Sequence, residues 1–563
     1  MNNTTVNFNL GTLTDFVREE LNKLNEEKII ERIWQKDFTV WSNKPDEITN
    51  RLDWLQSPSE TLSHIEEINS FVNSVRAEGY TNVLLLGMGG SSLAPEVFRL
   101  SFGVKEGYLD LSVLDSTDPQ AVLNFANSLN VKETLFVVST KSGGTIETLS
   151  FFKFFYNYCL DKLGEDETGK HFVAITDPGS KLEELSAKLK FRKTFLNNPN
   201  IGGRYSVLSF FGSVPAALLG MDLQKLLADA VGMSNELKQY DSNENSGAKI
   251  GVAIAELAKQ GKDKLTFVYS EQIKSFGTWV EQLIAESTGK NGVGILPVEN
   301  EELVTPEYYG NDRVFVYTHF ENDNNLKEKI EAIEKAGHPV IEIILNNIYN
   351  LGGEFLRWEF ATAIAGHVLG IQPFDQPNVE SAKIEAKAMI KDYLEKGELP
   401  KLQPKIVEGE IKVYGDVKAT TVKESLNEFL SLLNDKSKYN YVAIQAYVTP
   451  TSETTETLQK LRSKIQKQYK VAVTVGYGPR FLHSTGQLHK GDAGKGLFIQ
   501  FNSSVKEDVE IPIAPGNKKS EFTFGILKNA QLLGDRQALL NANRKVITID
   551  LGADVNTNIT KLI

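Results

Sequence analysis

Residues 139–145 have the composition of an oxyanion-binding turn. The sequence there is STKSGGT, which supplies four hydroxyls, one ammonium and two glycines directly after the apolar run at residues 135–138. Hydroxyls and backbone N–H groups at the start of a helix satisfy phosphate oxygens, and the helix dipole favours their charge. We interpret the segment as a phosphate-binding loop; the alternative is a helix N-cap with solvated hydroxyls. A Walker-type nucleotide site is disfavoured because G-x-x-x-x-G-K-[ST] is absent.

A second glycine-rich turn, GMGGSS at residues 87–92, follows the apolar run at residues 83–86. Glycines at the carboxyl end of a strand let the backbone approach a ligand, and open α/β sheets bind their ligands at that edge. The turn is not a dinucleotide fingerprint, because Ser92 stands where the third glycine of G-x-G-x-x-G would be. A purely structural turn is the alternative interpretation.

A guanidinium and a carboxylate could carry out proton-transfer chemistry. Arg204 lies beside two glycines in GGRYS at residues 202–206. Glu286 and Gln282 are four positions apart on a predicted helix at residues 276–287, so they share one face. Removal of a proton α to a carbonyl needs a positioned base and a cation at the developing oxygen charge. The plain alternatives are a surface arginine in a turn and a solvated glutamate.

Two later segments could line the same site. FDQPNVESAK at residues 374–383 places an amide, Gln376, seven residues before an ammonium, Lys383; a simple helix cap is the alternative. HSTGQLHK at residues 483–490 holds two of the 7 histidines, of which His483 is the candidate site residue. A zinc site is disfavoured there, because no cysteine or clear third ligand lies nearby.

These turns need strands and helices to hold them in place. After residues 1–80, which we interpret as helical with helices at 15–30, 46–55 and 59–77, continuous apolar runs alternate with helical patterns. This alternation is typical of parallel sheets covered on both faces. The runs interpreted as strands are residues 83–86, 111–114, 135–138, 172–175, 265–269, 314–317, 340–345, 441–447, 471–475 and 546–551.

The predicted fold is therefore α/β, with two doubly wound parallel-sheet domains and a further α/β part. The expected units are a helical N-terminal segment at residues 1–80, a first domain at 81–235, a second at 236–400 and a C-terminal extension at 401–563. We expect the extension to pack on the second domain.

Composition restricts the class of protein. The 61 basic and 73 acidic residues give a formal charge of −12, which argues against nucleic acid as a partner. Cys159 is the single cysteine, so no intrachain disulfide can form and a reducing compartment is indicated. Residues 1–13 have no secretory-signal pattern, and no apolar stretch of roughly 18 residues predicts a membrane span. We expect a cytoplasmic protein without membrane or nucleic-acid partners.

Taken together, the motifs between residues 83 and 383 and the segment near His483 resemble the phosphoglucose isomerase family. The nearest likeness is to the isomerase half of bacterial transaldolase–phosphoglucose isomerase fusions, since residues 32–37 and 53–55 are similar to the junction before that half. The resemblance implies two sugar-isomerase (SIS-type) domains with the active site between them, commonly completed in a homodimer. It also implies a sugar-phosphate substrate, with glucose 6-phosphate and fructose 6-phosphate interconverted through ring opening and a cis-enediol(ate).

The resemblance assigns roles to individual residues. Glu286 would move a proton between C2 and C1, Arg204 would stabilise the enediolate oxyanion, and His483, helped by Lys383, would open the ring. Gln282 and Gln376 would line the sugar. The residues that would hold the phosphate are Gly90, Ser91, Thr140, Lys141, Ser142 and Thr145. No cofactor or metal is expected, because the hydrogen moves as a proton rather than a hydride.

Three positions depart from the family pattern. Thr140 replaces a serine, Asn378 replaces the glycine of F-D-Q-x-G-V-E-x-x-K, and His483 follows Lys383 instead of preceding it. The last departure implies a rearranged C-terminal part. Other interpretations are an isomerase of another sugar phosphate, such as mannose 6-phosphate, and a non-catalytic sugar-phosphate sensor. A sensor would not need Arg204 and Glu286 together.

Overall fold

Three β-sheets, each built mainly from parallel strands, form the framework of the chain. The computed structural model describes residues 4–563. The strands of each sheet alternate with helices along the chain, so the predicted α/β fold class is confirmed. Within residues 4–563 no helix combines the length and the apolar character that crossing a membrane requires.

The N-terminal segment contains one strand that the sequence analysis missed. Its elements are β1 (Thr5–Asn9), α1 (Thr14–Glu26), α2 (Ile29–Trp34), α3 (Ser57–Leu62) and α4 (Ile65–Ala77). The interpretation of residues 1–80 as a helical segment is wrong at its start, because β1 pairs antiparallel with the edge strand Val340–Leu345. The helix expected at residues 46–55 is also absent. Glu47 has a φ of 56°, which is incompatible with a right-handed helix, and only the 3₁₀ turn Asp53–Gln56 forms.

The first sheet has five parallel strands in the order β3-β2-β4-β5-β6. They are β2 (Asn82–Gly87), β3 (Asp110–Leu114), β4 (Thr134–Ser139), β5 (Phe172–Thr176) and β6 (Lys193–Leu196). The helices of this part are α5 (Leu93–Phe102), α6 (Pro119–Ser128), α7 (Ile146–Leu163), α8 (Glu165–Thr168), α9 (Lys181–Lys188), α10 (Phe210–Leu218) and α11 (Leu223–Leu237). Every residue of β4 and β5 is buried, which explains their continuous apolar sequences.

The second sheet has the order β1-β10-β9-β7-β8, with β1 as its antiparallel edge. Its parallel strands are β7 (Lys264–Tyr269), β8 (Leu296–Val298), β9 (Arg313–Phe320) and β10 (Val340–Leu345). The accompanying helices are α12 (Ser246–Lys259), α13 (Phe276–Thr288), α14 (Lys327–Lys335), α15 (Leu351–Val368) and α16 (Pro377–Lys396).

The third sheet is a further doubly wound unit. Its order, β11-β12-β18-β15-β13-β14, contains four parallel strands arranged as in the other two sheets, with the first strand between the second and the third. The strands of this part are β11 (Ile406–Glu408), β12 (Ile411–Tyr414), β13 (Tyr441–Tyr447), β14 (Ala472–Tyr477), β15 (Gly496–Asn502), β16 (Glu510–Pro512), β17 (Ser520–Thr523) and β18 (Lys545–Asp550). The helices are α17 (Val422–Leu430), α18 (Ser452–Tyr469), α19 (Gly486–Gly491), α20 (Phe524–Asn541) and α21 (Val555–Thr560).

The three sheet-containing parts meet around one region. The first two parts share a continuous apolar core with the N-terminal helices. The third part contacts both: Phe524 of α20 stacks on Phe151 of α7 with ring centroids 5.8 Å apart, and Leu488 of α19 packs with Ala285 of α13. Since each contains the parallel strands of one sheet, we propose domains at residues 81–235, 236–400 and 401–563, preceded by the segment 1–80.

Candidate active site

A cavity of about 450 Å³ opens at the carboxyl edge of the first sheet, between that edge, α13 and the start of α16. This is the edge at which parallel α/β sheets place their ligand sites. All the site residues expected from the sequence line this one cavity. They are Gly90, Ser91, Thr140, Lys141, Ser142, Thr145, Arg204, Gln282, Glu286, Gln376, Lys383 and His483.

Two glycine turns meet backbone to backbone in the cavity wall. A Cβ atom on Gly90 would lie 2.0 Å from the carbonyl oxygen of Gly203, so a side chain at this position would displace the turn that carries Arg204. Gly89 has a φ of 55°, in the left-handed region that favours glycine. Both glycines therefore have a structural requirement in addition to any contact with a ligand.

The turn at residues 139–145 presents its hydroxyls to the cavity. Thr145 occupies the N-cap position of α7, but its side chain makes no capping hydrogen bond; its hydroxyl lies 3.2 Å from that of Thr140. The hydroxyl of Ser142 accepts a hydrogen bond from the backbone N–H of Gly144 at 3.3 Å. Gly143 has a φ of 65°, and a Cβ there would lie 2.7 Å from the backbone nitrogen of Leu182. The N-cap interpretation therefore does not apply to the Thr145 side chain.

Lys141 is partly neutralised by a residue that the sequence analysis did not select. Its ammonium forms an ion pair with Asp177 and donates a hydrogen bond to the carbonyl oxygen of Pro199 at 2.8 Å. Burial lowers the pKa of Lys141 and raises that of Asp177, while their mutual hydrogen bond opposes both changes. The pair fixes the ammonium at the edge of the cavity.

Several polar atoms of the wall have no partner among the described residues. They include the hydroxyls of Ser139 and Thr148 and the amide oxygen of Gln282, all buried and all belonging to residues that line the cavity. Unpaired buried polar atoms are costly in a folded protein, and native structures satisfy most of them. Unpaired polar atoms in the wall suit a cavity that takes a polar ligand.

Arg204 is buried and nearly saturated with hydrogen bonds. Its Nε donates to the hydroxyl of Ser287 at 2.7 Å and its Nη1 to Oε1 of Gln376 at 3.0 Å. Its Nη2 donates to the carbonyl oxygens of Pro373 at 2.5 Å and Asp375 at 3.0 Å. A guanidinium has five N–H groups, so one on Nη1 remains for a further acceptor. Oε2 of Glu286 is 3.6 Å from that nitrogen.

Glu286 is enclosed by polar groups on one side and apolar helix neighbours on the other. Its residue is 8% exposed, and its carboxylate accepts a hydrogen bond from Nε2 of Gln282 at 3.3 Å. The same Nε2 donates to the backbone oxygen of His483 at 2.7 Å. Gln282 thus connects the carboxylate to the C-terminal part of the chain, and that part folds back to the cavity.

His483 has a buried carboxylate as its partner. Its Nε2 lies 3.0 Å from Oε1 of Glu147, on the first turn of α7. Burial alone would raise the pKa of Glu147, but the charge and hydrogen bond of His483, together with Lys383, hold it below its usual value. Sequence reasoning missed Glu147; the available signal was a carboxyl two residues after the hydroxyl-rich turn, on the same helix start.

The segment before α16 is held by two buried cations. Besides the contacts of Arg204, Nζ of Lys290 donates to the carbonyl oxygens of Gln372 at 2.8 Å and Asp375 at 2.6 Å. Burial, reinforced by the charge of Arg204, lowers the pKa of Lys290 to about 8. These contacts place the Gln376 side chain in the cavity. Lys290, four residues after Glu286, was also missed.

The replacement by Asn378 of the glycine in the F-D-Q-x-G-V-E-x-x-K pattern has a structural explanation. Asn378 is the second residue of α16, and Gln487 of α19 accepts hydrogen bonds from the backbone N–H groups of Asn378 and Val379 at 2.8 and 3.2 Å. The Gln487 amide also donates to the Asn378 side chain at 2.7 Å. Lys383, one turn further on, is 44% exposed at its side chain and pairs with Glu380 at 2.8 Å.

The second histidine of the 483–490 segment is structural. His489 is 2% exposed, and burial lowers its pKa well below the usual value; its Nδ1 lies 3.3 Å from the amide of Gln445. Over residues 4–563, no three or more His, Cys, Asp or Glu side chains are grouped so that they could hold a metal ion.

The strand order and the position of the cavity define a doubly wound α/β protein with its ligand site at the carboxyl ends of the parallel strands. A family model described as phosphoglucose isomerase matches residues 49–305. A probable glucose-6-phosphate isomerase of Methanococcus maripaludis is 30% identical over 415 residues, which cover 67% of this chain and 90% of that protein. The chain belongs to the phosphoglucose isomerase family.

Two further matches agree. The glucose-6-phosphate isomerase of Campylobacter jejuni is 28% identical over 372 residues, covering 59% of this chain and 90% of its own. The crystal structure of a glucose-6-phosphate isomerase from Chlamydia trachomatis superposes with a TM-score of 0.58 at 18% identity, covering 71% of this chain and 90% of that one; this likeness concerns the fold. The family model includes Arg204 and Glu286 but ends before Gln376, Lys383 and His483.

Proposed function

We propose that the chain is an aldose–ketose isomerase that interconverts glucose 6-phosphate and fructose 6-phosphate. The observation that carries the proposal is the pairing of Glu286 and Arg204, 3.6 Å apart, in a cavity that is also lined by the hydroxyl-rich turn at residues 139–145. A carboxylate beside a fixed cation suits proton transfer α to a carbonyl. The turn suits the phosphate group.

In the first step the sugar ring opens. His483 donates a proton to the ring oxygen while a water molecule in the cavity takes the proton of the anomeric hydroxyl, so that the C1–O5 bond breaks and a carbonyl forms at C1. An imidazole is suited to this exchange because its unperturbed pKa lies near neutrality. Glu147 orients the imidazole ring of His483 through its contact with Nε2. Lys383, which lines the same cavity, adds positive charge.

In the second step Glu286 removes the proton from C2. The electron pair of the C–H bond forms the C1–C2 double bond of a cis-enediolate, whose oxygen charge faces the remaining N–H of Arg204. Protonation of C1 by Glu286, with proton exchange between the two oxygens, gives the ketose. The hydrogen moves as a proton throughout, and the reaction is balanced without an oxidant or reductant.

A coupled assay tests the reaction. The purified chain is expected to convert glucose 6-phosphate and fructose 6-phosphate into each other, and mannose 6-phosphate is assayed in parallel as the epimer control. Turnover of mannose 6-phosphate alone would contradict the substrate assignment. Binding of sugar phosphates without turnover of any of them would contradict the assignment as an enzyme and support a non-catalytic sensor. The presence of both Arg204 and Glu286 argues against a sensor, which would not need the pair.

The turn at residues 139–145 is expected to bind the phosphate group. Ser142→Ala and Thr145→Ala should each weaken binding of inorganic phosphate and of glucose 6-phosphate by about 0.5–3 kcal/mol, the range for losing a hydrogen bond to a charged group. Isothermal titration measures both. Ser128→Ala, on the exposed side of α6, is the control and should bind as the parent does. Phosphate affinity unchanged in both variants would refute the assignment.

We also propose a cytoplasmic location and a homodimer. The first is supported by the single cysteine, Cys159, which is buried, and whose thiol pKa is raised by that burial. The second is supported by the sequence resemblance to a family whose sites are commonly completed in dimers. Sedimentation equilibrium at micromolar concentration would distinguish a dimer from a monomer.

A further inference from the structure

Behind His483, a chain of hydrogen bonds runs from the first domain to α20 of the C-terminal domain and back. Glu147 Oε1, the oxygen that faces His483, also accepts a hydrogen bond from Nε2 of Gln531 on α20 at 2.7 Å. The other end of that amide, Oε1 of Gln531, accepts a hydrogen bond from the hydroxyl of Thr117 at 2.8 Å. Gln531 is 3% exposed and Thr117 is fully buried.

The orientation of the Gln531 amide is determined by its two partners. A carboxylate can only accept hydrogen bonds, so the NH₂ end must face Glu147 and the carbonyl end must face Thr117. With the amide fixed in this way, Nε2 of Gln531 and Nε2 of His483 share one carboxylate oxygen. The position of that oxygen, and therefore the direction of the imidazole ring, depends on a residue 384 positions away from Glu147.

α20 is anchored one turn earlier by a buried ion pair. Nζ of Lys528 lies 3.0 Å from Oδ2 of Asp118, with side-chain exposures of 0% and 4%. Oδ1 of Asp118 accepts from the hydroxyl of Thr449 at 2.7 Å, and Lys528 also donates to the carbonyl oxygen of Ser503 at 3.2 Å. Thr449 and Ser503 follow β13 and β15, the adjacent strands at which the third sheet reverses its order.

The Asp118 carboxylate therefore fills the crevice in which an open α/β sheet would bind a ligand. Lys528 and Gln531 are three residues apart on one face of α20. The ion pair thus fixes the position of α20, and with it the position of Gln531 relative to α7. A cavity of about 210 Å³ lies beside this contact and is lined by Glu380, Lys383 and Lys387 of α16 as well as by Glu147 and Gln531.

We propose that Gln531 is a positioning residue for ring opening, acting through Glu147 on His483, and that the C-terminal domain is in this way part of the catalytic apparatus. The inference rests on the proposed role of His483 in the isomerase. Gln531 would not touch the substrate. Its removal should therefore affect the step that His483 performs and leave phosphate binding and the transfer at Glu286 unaltered.

The test compares Gln531→Ala with Gln537→Ala, which makes the same change on the exposed side of α20, where Gln537 donates a hydrogen bond to Asn541 at 2.8 Å. Two substrates are used: glucose 6-phosphate, and an analogue that is deoxygenated at C4 and O-methylated at C5 and so cannot cyclise. Gln531→Ala should lower kcat on glucose 6-phosphate on the order of tenfold to a hundredfold, the effect of losing a buried hydrogen bond to a charged group. KM, and the rate on the analogue, should stay near the parent values.

Gln531→Glu is a second variant that keeps the shape of the side chain. It therefore remains informative if shortening the buried Gln531 side chain to Ala prevents the protein from folding. It places the new carboxyl group at hydrogen-bond distance from the carboxylate of Glu147. Two carboxyl groups this close share one proton, because the negative charge of one raises the pKa of the other, and the proton is lost only when the pH rises above that pKa. Its activity on glucose 6-phosphate should therefore be retained at low pH and lost as the pH rises, in contrast to the parent and to Gln537→Ala. A purely structural residue would not produce this change of pH profile.

The outcomes separate the inference from the function on which it rests. If His483→Ala reduces turnover of glucose 6-phosphate but Gln531→Ala does not, or if Gln531→Ala reduces the rates on both substrates equally, the inference is overturned. A Gln531→Glu pH profile identical to that of the parent overturns it as well. If His483→Ala affects both substrates equally, the ring-opening assignment of His483 fails first.

Discussion

Glu286→Gln is expected to abolish turnover while leaving the protein folded and able to bind phosphate. The amide has nearly the shape of the carboxylate, so contacts with Gln282 and Arg204 can be kept, but it cannot accept a proton from C2. Loss of a positioned general base costs roughly a hundred- to ten-thousand-fold in rate. The coupled assay measures kcat, and solvent-deuterium incorporation at C2 of fructose-derived glucose 6-phosphate reports the proton transfer directly.

The matched control is Glu271→Gln, the same change on a side chain that is 89% exposed just before α13. It should behave as the parent does. Thermal melting and phosphate titration of Glu286→Gln establish that the fold and the turn at residues 139–145 are intact. Near-parent turnover by the purified Glu286→Gln variant would exclude this residue as the base.

The sequence predicted most of the parallel strands because burial on both faces leaves a strong signal, but β6 and β8 were missed, and so was β15, although it is buried at every residue except its last. Strands such as β4 and β5 have no exposed residue, and their apolar runs bounded by polar turns could be located without a structure. β1 could not be found this way. It is five residues long, lies at a sheet edge, and alternates exposed with half-buried side chains, so only its pairing with β10 defines it. The strand order of the third sheet likewise depends on pairing between distant segments.

The site residues likewise fall into those that the sequence could predict and those that it could not. Residues within compact motifs, such as Lys141 and Arg204, could be selected because several suitable side chains occur together in a turn. Glu147 and Gln531 could not be paired by sequence, because their partners lie 336 and 384 positions away. The position of His483 was predicted by resemblance and not by spacing. The fold-back of the C-terminal domain that brings it to Gln282 is a property of tertiary packing alone.

Arg204→Lys is expected to lower kcat/KM on the order of a hundred- to a thousand-fold, the cost of losing one oxyanion donor, although the positive charge is retained. An ammonium has three donors on one atom and cannot reproduce the planar guanidinium, which holds Ser287, Gln376 and the backbone of residues 373–375 at once. The variant should lose the N–H that faces the enediolate and also the placement of Gln376.

Two measurements separate these losses. A five-carbon aldonohydroxamate phosphate carries a planar group that resembles the cis-enediolate, and transition-state stabilisation predicts that its affinity falls in proportion to kcat/KM. Gln376→Ala removes one of the contacts of Arg204 together with an amide that lines the cavity, and should weaken the hydroxamate less. If Arg204→Lys bound the hydroxamate as tightly as the parent does, Arg204 would not stabilise the oxyanion. A defect equal to that of Gln376→Ala would instead limit Arg204 to holding the segment before α16, because loss of the N–H that faces the enediolate would then add nothing to the defect.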